Sequence, residues 1–355
     1  MKGYANITKG WFSLMPCLSY NRHMMIITGQ RSTGKSTGTA IYLLMDWLEN
    51  KHGWIYTRRT KDETDLTCDT WFDNAADILR NAGYDVQVEY KGGEYYVNGE
   101  LAGWAIPLSQ QQKRKGDNLS LAWWIIYDEF VSFDGRYLGT NADPIKEYRS
   151  LMSLFQTADR GIGQAFRNEV RIIALGNNDS YYNPLYMALG VDKYIKTDTH
   201  FLAPKGEEWM VMQLREEDAT QAKEYKESIG YKLSDERTKQ YAYENLAKED
   251  VADKNFIVKC NDPMSPLCNV IYEGYEMGIH INNRKGFLYV SPTKANTTLT
   301  FALTTDDHKP NYTLSLRTGN EGPMPTFRRM YELGQVRFEN QKCKYCLDNY
   351  LRFTV

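Results

Sequence analysis

Residues 23–50 read "HMMIITGQRSTGKSTGTAIYLLMDWLEN", and no other stretch limits the fold as tightly. The apolar run 23–28 reads as a buried strand. Residues 35–50 read as a helix, with Ile41, Leu44, Met45 and Leu48 on one stripe. Between them lies a glycine-rich turn. A strand that passes through such a turn into a helix aims backbone N–H groups, and the positive end of the helix dipole, at one point. The spacing G-x-x-x-x-G-K-S is met by Gly29, Gly34, Lys35 and Ser36. The glycines permit the curl. Lys35 is expected to reach the β- and γ-phosphates of ATP, and the Ser36 hydroxyl to ligate Mg2+. Thr37 joins the phosphate contacts at the helix start. Arg31 is an extra cation inside the loop, placed to sense the nucleotide or to reach toward a catalytic acid.

Up to about residue 185, strand-like runs alternate with helical patterns. "GWIYTRR" (53–59), "LAWWIIYDEF" (121–130) and "EVRIIALGNN" (169–178) are apolar with polar C-terminal ends. Buried parallel strands read this way, with chemistry along one edge of the sheet. Residues 84–109 read as β-hairpins with turns at Gly92-Gly93 and Asn98-Gly99. The expected class is α/β, with a P-loop ATPase domain over 1–200. Residues 205–250 are charged and helix-prone, with no buried strand expected, so 201–250 reads as a lid or linker. Residues 251–355 return to short strands and close with a helix near 324–349, a small α+β domain.

Composition removes several classes. Hydrophobic residues make up 42% and charged residues 25%, as in an ordinary globular protein. A net charge of −2 leaves no global basic footprint, so any nucleic-acid contact must come from a local patch. The 6 cysteines are too sparse for a disulfide scaffold and fit a reducing cytosol. Cys343 and Cys346 form a C-x-x-C without a second pair at zinc spacing, and read as two thiols on a terminal helix. No apolar run is long enough to span a membrane, and the N-terminus lacks a signal-peptide pattern.

A phosphate loop needs an acid at the end of a neighbouring strand. "WWIIYDEF" supplies two: Asp128 to bind Mg2+ through water and Glu129 to orient and polarise the attacking water. A protein that only binds nucleotide has no need of the second acid. Asn177 and Asn178 end the next strand, where a polar residue would contact the γ-phosphate or the water. Arg160 and Arg167 precede that strand, and either would neutralise charge developing on the γ-phosphate of a neighbouring subunit. The loop "SQQQKRKGDN" (109–118) carries Lys113, Arg114 and Lys115 just before the acidic strand. It reads either as a solvated charge run or as a grip on a phosphate backbone.

Together these residues resemble the bacteriophage DNA-packaging ATPases of the phi-29 type. "NGELAGWAIPLS" (98–109), the "DEF" that follows, "IYTRRTK" (55–61) and "SLMSLFQTADR" (150–160) all resemble that family. So do "NVIYEGYEMGIHINNRKGFLYVS" and "LTTDD" in the last third. The resemblance implies an additional-strand, RecA-like ATPase domain, a lid, and a small RNase H-like domain, similar to a terminase nuclease and vestigial in this branch. It implies a homomeric ring, a pentamer, at the portal (connector) of a procapsid in the host cytoplasm. That ring translocates double-stranded DNA, with a scaffold RNA as an optional partner. Arg160 falls on the family's trans-acting arginine and is preferred to Arg167. Lys61 falls on a basic residue acting across the subunit interface. Glu273, Glu276, Asp306 and Asp307 are the acids available for a two-metal nuclease, and cleavage is not expected from them. The competing readings are a RecA-like helicase or DNA-repair translocase, and an assembly protein whose ATP only closes a ring.

Overall fold

The parallel sheet expected from the apolar runs is present, and it extends further along the chain than the sequence suggested. The computed structural model describes residues 3–114, 116–132, 137–139, 145–160, 166–177, 183–191, 194, 199–220, 229–234, 239, 256–272, 274–314 and 322–352. The chain divides into two compact units, Met1–Leu138 with Ile145–Lys248, and Gly139–Pro144 with Glu249–Val355. Among the described residues, no helix is long and apolar enough to cross a membrane.

In the first unit, α1 (Tyr4–Ile7) and α2 (Met15–Leu18) precede β1 (Met24–Thr28), α3 (Lys35–Asn50), β2 (Gly53–Thr57), α4 (Lys61–Asp65) and α5 (Asp73–Asn81). Then come β3 (Val88–Lys91), β4 (Glu94–Val97), β5 (Glu100–Ala105), β6 (Ala122–Asp128), α6 (Lys146–Ala158), β7 (Arg171–Gly176) and α7 (Pro184–Leu189). The short β8 (Phe201–Leu202), β9 (Trp209–Gln213) and α8 (Ile229–Leu233) follow. The sheet order is β3-β4-β5-β2-β6-β7-β1-β9-β8. From β5 to β9 all pairings are parallel. The β3–β4–β5 meander adds an antiparallel flank, and β8 closes the other edge antiparallel to β9. Strand β7 therefore separates β1, which feeds the glycine-rich turn, from β6, which ends in acid.

Asn98 and Gly99 adopt φ of 51° and 80°, the left-handed pair that a two-residue hairpin turn demands. Helix α3 is buried over most of its length, from Gly38 to Trp47, rather than on one stripe. The N-terminal segment covers its other face. The Tyr4 hydroxyl donates to the Gly38 carbonyl at 3.0 Å, and the Tyr4 and Tyr42 rings meet edge-on at 5.7 Å.

Two further expectations need correction. The sheet of the first unit does not stop at 200. "WMVMQ", inside the stretch read as a strandless lid, forms β9, is buried at every residue and pairs with β1 from Met24↔Trp209 to Thr28↔Gln213. Charged neighbours hid a four-residue apolar run, Trp209 to Met212, that is long enough to seed a fully buried strand. Residues 221–228 and most of 235–255, where the lid reading also falls, lie outside the described residues.

The second unit holds β10 (Ser265–Tyr272), β11 (Tyr275–Asn282), β12 (Phe287–Ser291), β13 (Thr300–Ala302), β14 (Thr313–Leu314), α9 (Met324–Glu332), β15 (Val336–Phe338) and α10 (Gln341–Arg352). Its sheet runs β14-β13-β10-β11-β12-β15. The β10–β12 meander is antiparallel, with parallel strands added on both flanks. Here lies the second correction: the single closing helix is two helices with β15 between them. Gly334, at φ 67°, turns the chain out of α9, and "VRF" then pairs with β12. Cys343 and Cys346 sit on α10 as buried thiols in the apolar core with Phe327 and Leu347.

Candidate active site

The glycine-rich turn folds tightly around one ammonium group. Gly34 takes φ 82°, the left-handed value that favours glycine, and α3 begins at the next residue. Lys35 is only 9% exposed. Its Nζ donates to the carbonyls of Gly29 at 2.9 Å and Gln30 at 2.8 Å, and to Thr33 Oγ1 at 3.4 Å. Arg31 and Ser32 are exposed at the rim. Gly29 has a packing reason that its place in the motif does not reveal. A Cβ there would lie 2.7 Å from Cβ of Leu214, whose N–H donates to the Thr28 carbonyl just beyond β9.

Because β1, β7 and β6 are parallel, their C-terminal ends line one edge. A cleft of about 440 Å³ opens there, lined by residues 31–37 of the loop, Arg58, the Asp128-Glu129 pair and Leu175 to Asn177. Ser36, Thr37, Lys35, Asp128, Glu129 and Asn177 thus share one cleft, as their sequence positions predicted. Asn178 lies outside the described residues.

The two acids differ sharply in environment. The Asp128 side chain is 6% exposed, and Oδ2 accepts from the Tyr56 hydroxyl at 3.1 Å and from Arg58 Nη2 at 2.7 Å. The Glu129 side chain is 62% exposed, and its Oε2 lies 3.3 Å from Arg58 Nη1. Glu129 also has φ 56°. A left-handed non-glycine residue costs on the order of 1–2 kcal/mol, and surrounding contacts must hold it there.

Arg58 was not foreseen. Burial works against its charge, but Asp128 and Tyr56 outweigh that and hold its pKa above the usual arginine range. Its position at the C-terminal end of β2, beside β6, was the available signal. For Mg2+, the Ser36 hydroxyl and the Asp128 carboxylate are hard oxygen donors on the same cleft as the phosphate loop, and this donor set fits the ion.

The flanking cations separate into engaged and exposed groups. Arg167 donates to the carbonyls of Ser120 at 2.8 Å, Ala122 at 2.6 Å and Ala158 at 2.9 Å, and lies over the Trp123 ring at 5.6 Å. It is fastened to the fold. Arg160, just past α6, is exposed. Lys61 is exposed on α4 and paired with Asp65 one turn along.

The segment expected as a flexible basic loop is a 3-10 turn over Leu108–Arg114 with Leu108 and Gln111 buried. Its backbone is anchored: Leu108 N donates to the Arg58 carbonyl at 2.9 Å and Ser109 N to the Arg59 carbonyl at 3.0 Å. Lys113 is exposed, Arg114 pairs with Asp117 at 2.8 Å, and Lys115 lies outside the described residues.

In the second unit, Glu276 pairs with Lys294 at 2.6 Å. Asp307 is buried, accepting from Gly274 N at 2.7 Å and from the Thr304 hydroxyl, and Asp306 is exposed. Glu273 lies outside the described residues. No group of three or more His, Cys, Asp or Glu side chains able to hold a metal ion occurs among the described residues.

A phosphate loop and an acid pair on one edge of a parallel sheet define a P-loop ATPase. Residues 10–354 match the family model for the podovirus DNA encapsidation protein (Gp16), and the chain belongs to that family. It is 26% identical over 334 residues to the DNA packaging protein of Bacillus phage phi29, covering 91% of this chain and 92% of that protein. The DNA packaging protein of Bacillus phage PZA matches over the same span at the same identity. In fold, the chain is similar to a chain of the bacteriophage Phi-29 viral genome packaging motor assembly, with a TM-score of 0.73 and 23% identity over 97% of this chain and 99% of that one. It is also similar to the Phi-28 gp11 DNA packaging motor, at a TM-score of 0.65 and 17% identity over 97% of this chain and 98% of that one.

Proposed function

We propose that this chain is the ATP-driven motor that translocates double-stranded viral DNA into a procapsid. It works as a homomeric ring, a pentamer, at the portal vertex in the host cytoplasm. The observation that carries the reading is the Asp128-Glu129 pair on the same cleft as the phosphate loop, in a chain of the DNA encapsidation family. The relatives' names, DNA packaging protein and genome packaging motor assembly, support duplex DNA, the portal and a second copy of the chain as partners. The insertion of β7 between β1 and β6 supports the additional-strand, RecA-like form of the sheet. The meander with parallel flanking strands supports an RNase H-like second unit. Its Asp307 and Glu276 are taken up by local partners, so no cleavage is assigned to it.

In this reading Lys35 and the loop N–H groups bind the β- and γ-phosphates. Ser36 and Asp128 would hold Mg2+, which supplies Lewis-acid neutralisation of phosphate charge. Glu129 orients a water and accepts its proton as the oxygen attacks the γ-phosphorus, leaving ADP and phosphate. Asn177 contacts the γ-phosphate or that water. Arg31 reads the nucleotide from the rim. Arg160 and Lys61, both exposed, act on a neighbouring subunit's site, whereas Arg167 is a structural arginine. Lys113 and Arg114 on the 3-10 turn contact the DNA backbone.

The test is ATP-dependent uptake of duplex DNA into procapsids by the purified protein. Uptake of intact duplex with concurrent hydrolysis is expected. Strand separation without uptake would point instead to a helicase, and negligible turnover with DNA and portal present to a nucleotide-gated assembly protein.

A further inference from the structure

Glu129 holds a left-handed backbone at the end of β6, and the groups that keep it there can be named. Arg59, buried at 7% exposure, directs Nη2 at two consecutive carbonyls, Glu129 at 3.3 Å and Phe130 at 3.1 Å. The same guanidinium is held from behind by Glu147, with Nε to Oε2 at 2.8 Å and Nη2 to Oε1 at 3.3 Å. Glu147 is 2% exposed and also accepts from the Tyr127 hydroxyl and from Leu138 N at 2.8 Å. The Tyr137 ring lies 5.0 Å from the guanidinium, and Glu63 lies 3.6 Å from Nη1. Burial opposes the charge of Arg59, but Tyr127 and Glu147 outweigh it and keep the group charged.

A buried ion pair is poor evidence for stability, because desolvation cancels much of its attraction. What this pair does have is geometry. A planar fork meets a carboxylate on one side and two carbonyls on the other, which a lysine ammonium cannot match. The carbonyls belong to the residue whose carboxylate faces the cleft and to its neighbour. The carboxylate sits in the first turn of α6, the helix that ends just before Arg160.

We infer that Arg59, braced by Glu147, is a positioning residue for hydrolysis. It fixes the turn at Glu129 so that the carboxylate meets the attacking water, and it does not touch nucleotide itself. This inference rests on the role given to Glu129 above, and its tests keep the two apart.

The principal variant is Arg59→Met with Glu147→Met, which replaces the pair by apolar side chains of similar length and leaves no buried charge unpaired. In the full chain, with DNA present, the affinity for a fluorescent ATP analogue is expected to stay within about twofold. The turnover number should fall by about 10- to 100-fold, the scale of a displaced catalytic group. In a Glu129→Gln background the same pair of changes should cause no further loss, because the pair acts through Glu129. A purely structural role would not give that non-additivity.

Normal turnover in the folded double variant would overturn the inference, as would an additive loss on the Glu129→Gln background. Should the apolar pair fail to fold, Arg59→Lys carries the test. It keeps a charge against Glu147 but loses the fork, and the same fall in turnover with unchanged affinity is expected. Undiminished turnover in Arg59→Lys would refute it. If Glu129→Gln itself hydrolyses ATP normally, the reading of Glu129 has failed, and the positioning role fails with it. If only the Arg59 variants are normal, the reading of Glu129 stands alone.

Discussion

Two buried aspartates, one in each unit, show how little a carboxylate's burial says about its use. Asp128 is 5% exposed and Asp307 is 9% exposed. Asp128 accepts from Arg58 and Tyr56 on a cleft shared with a phosphate loop and a second acid. Asp307 accepts from a backbone N–H and a threonine hydroxyl within its own fold. Hydrogen bonds from Gly274 and Thr304 close a turn, whereas Asp128 meets a guanidinium that also reaches Glu129. The difference lies in the setting: Asp128 faces a charged partner on a cleft, and Asp307 accepts hydrogen bonds that close a turn.

That contrast can be broken most decisively at the cleft. Glu129→Gln should leave nucleotide binding intact and lower turnover by about 10²- to 10⁴-fold, the range for loss of a general base. Asp128→Asn should also stop hydrolysis, and should weaken the Mg2+ dependence of nucleotide binding. Steady-state hydrolysis and fluorescent-nucleotide titration measure both. Wild-type turnover in either variant would show that the cleft acids are as inert as Asp307.

The arginines extend the comparison. Arg167→Ala removes a guanidinium bonded to three carbonyls. It should destabilise the first unit by about 2–3 kcal/mol. Arg160→Ala should leave the melting temperature unchanged and remove assembly-dependent hydrolysis. Subunits with an intact Arg160 but a blocked site should rescue it. A larger stability loss for Arg160→Ala than for Arg167→Ala would reverse the two assignments.

Asp307→Asn should leave ATP turnover unchanged and cost about 1–3 kcal/mol of stability in the second unit, read as a lower melting temperature. Cleavage of supercoiled plasmid in Mn2+ that is lost in Asp306→Ala would sink the assignment of these acids to structure alone.

The smallest effect concerns the thiols. Burial pushes Cys17, Cys268 and Cys343 up to about 12, so at pH 8 each stays protonated and unreactive in the folded protein. Cys260 is the partly exposed cysteine and should react first with a disulfide reagent. Rapid reaction of Cys343 would show that the core around α10 is looser than described.

Local patterns carried most of the first unit. The bounds of α3, the strands β1, β2, β6 and β7, and both hairpin turns were legible because periodicity and turn chemistry act over a few residues. The same holds for Lys35, Ser36, Asp128, Glu129 and Asn177, which lie at strand ends or helix starts. What escaped was set by distant partners. Strand β9 is made a strand by its pairing with β1, some 185 residues away (Met24↔Trp209), despite its charged flanks. "VRF" was absorbed into a helix because three residues carry too weak a pattern, and β12 decides it. Arg58 and Arg59 closed the strand-like run 53–59 and were given no role of their own. Only the adjacency of β2 to β6, and the approach of α6, turned them into partners of the acids.

The Arg58-Arg59 dipeptide is wired twice. Its side chains hold the acids and their backbone, while its carbonyls suspend the turn that bears Lys113 and Arg114. Any coupling through such an element is reciprocal: whatever nucleotide does to the turn, a pull on the turn does equally to nucleotide affinity. A strand of DNA dragging on that turn would then register at the phosphate loop as tighter or weaker ATP binding, so that load itself becomes an effector of the enzyme. Equal ATP affinity with and without bound duplex would show that the two ends of the dipeptide are uncoupled.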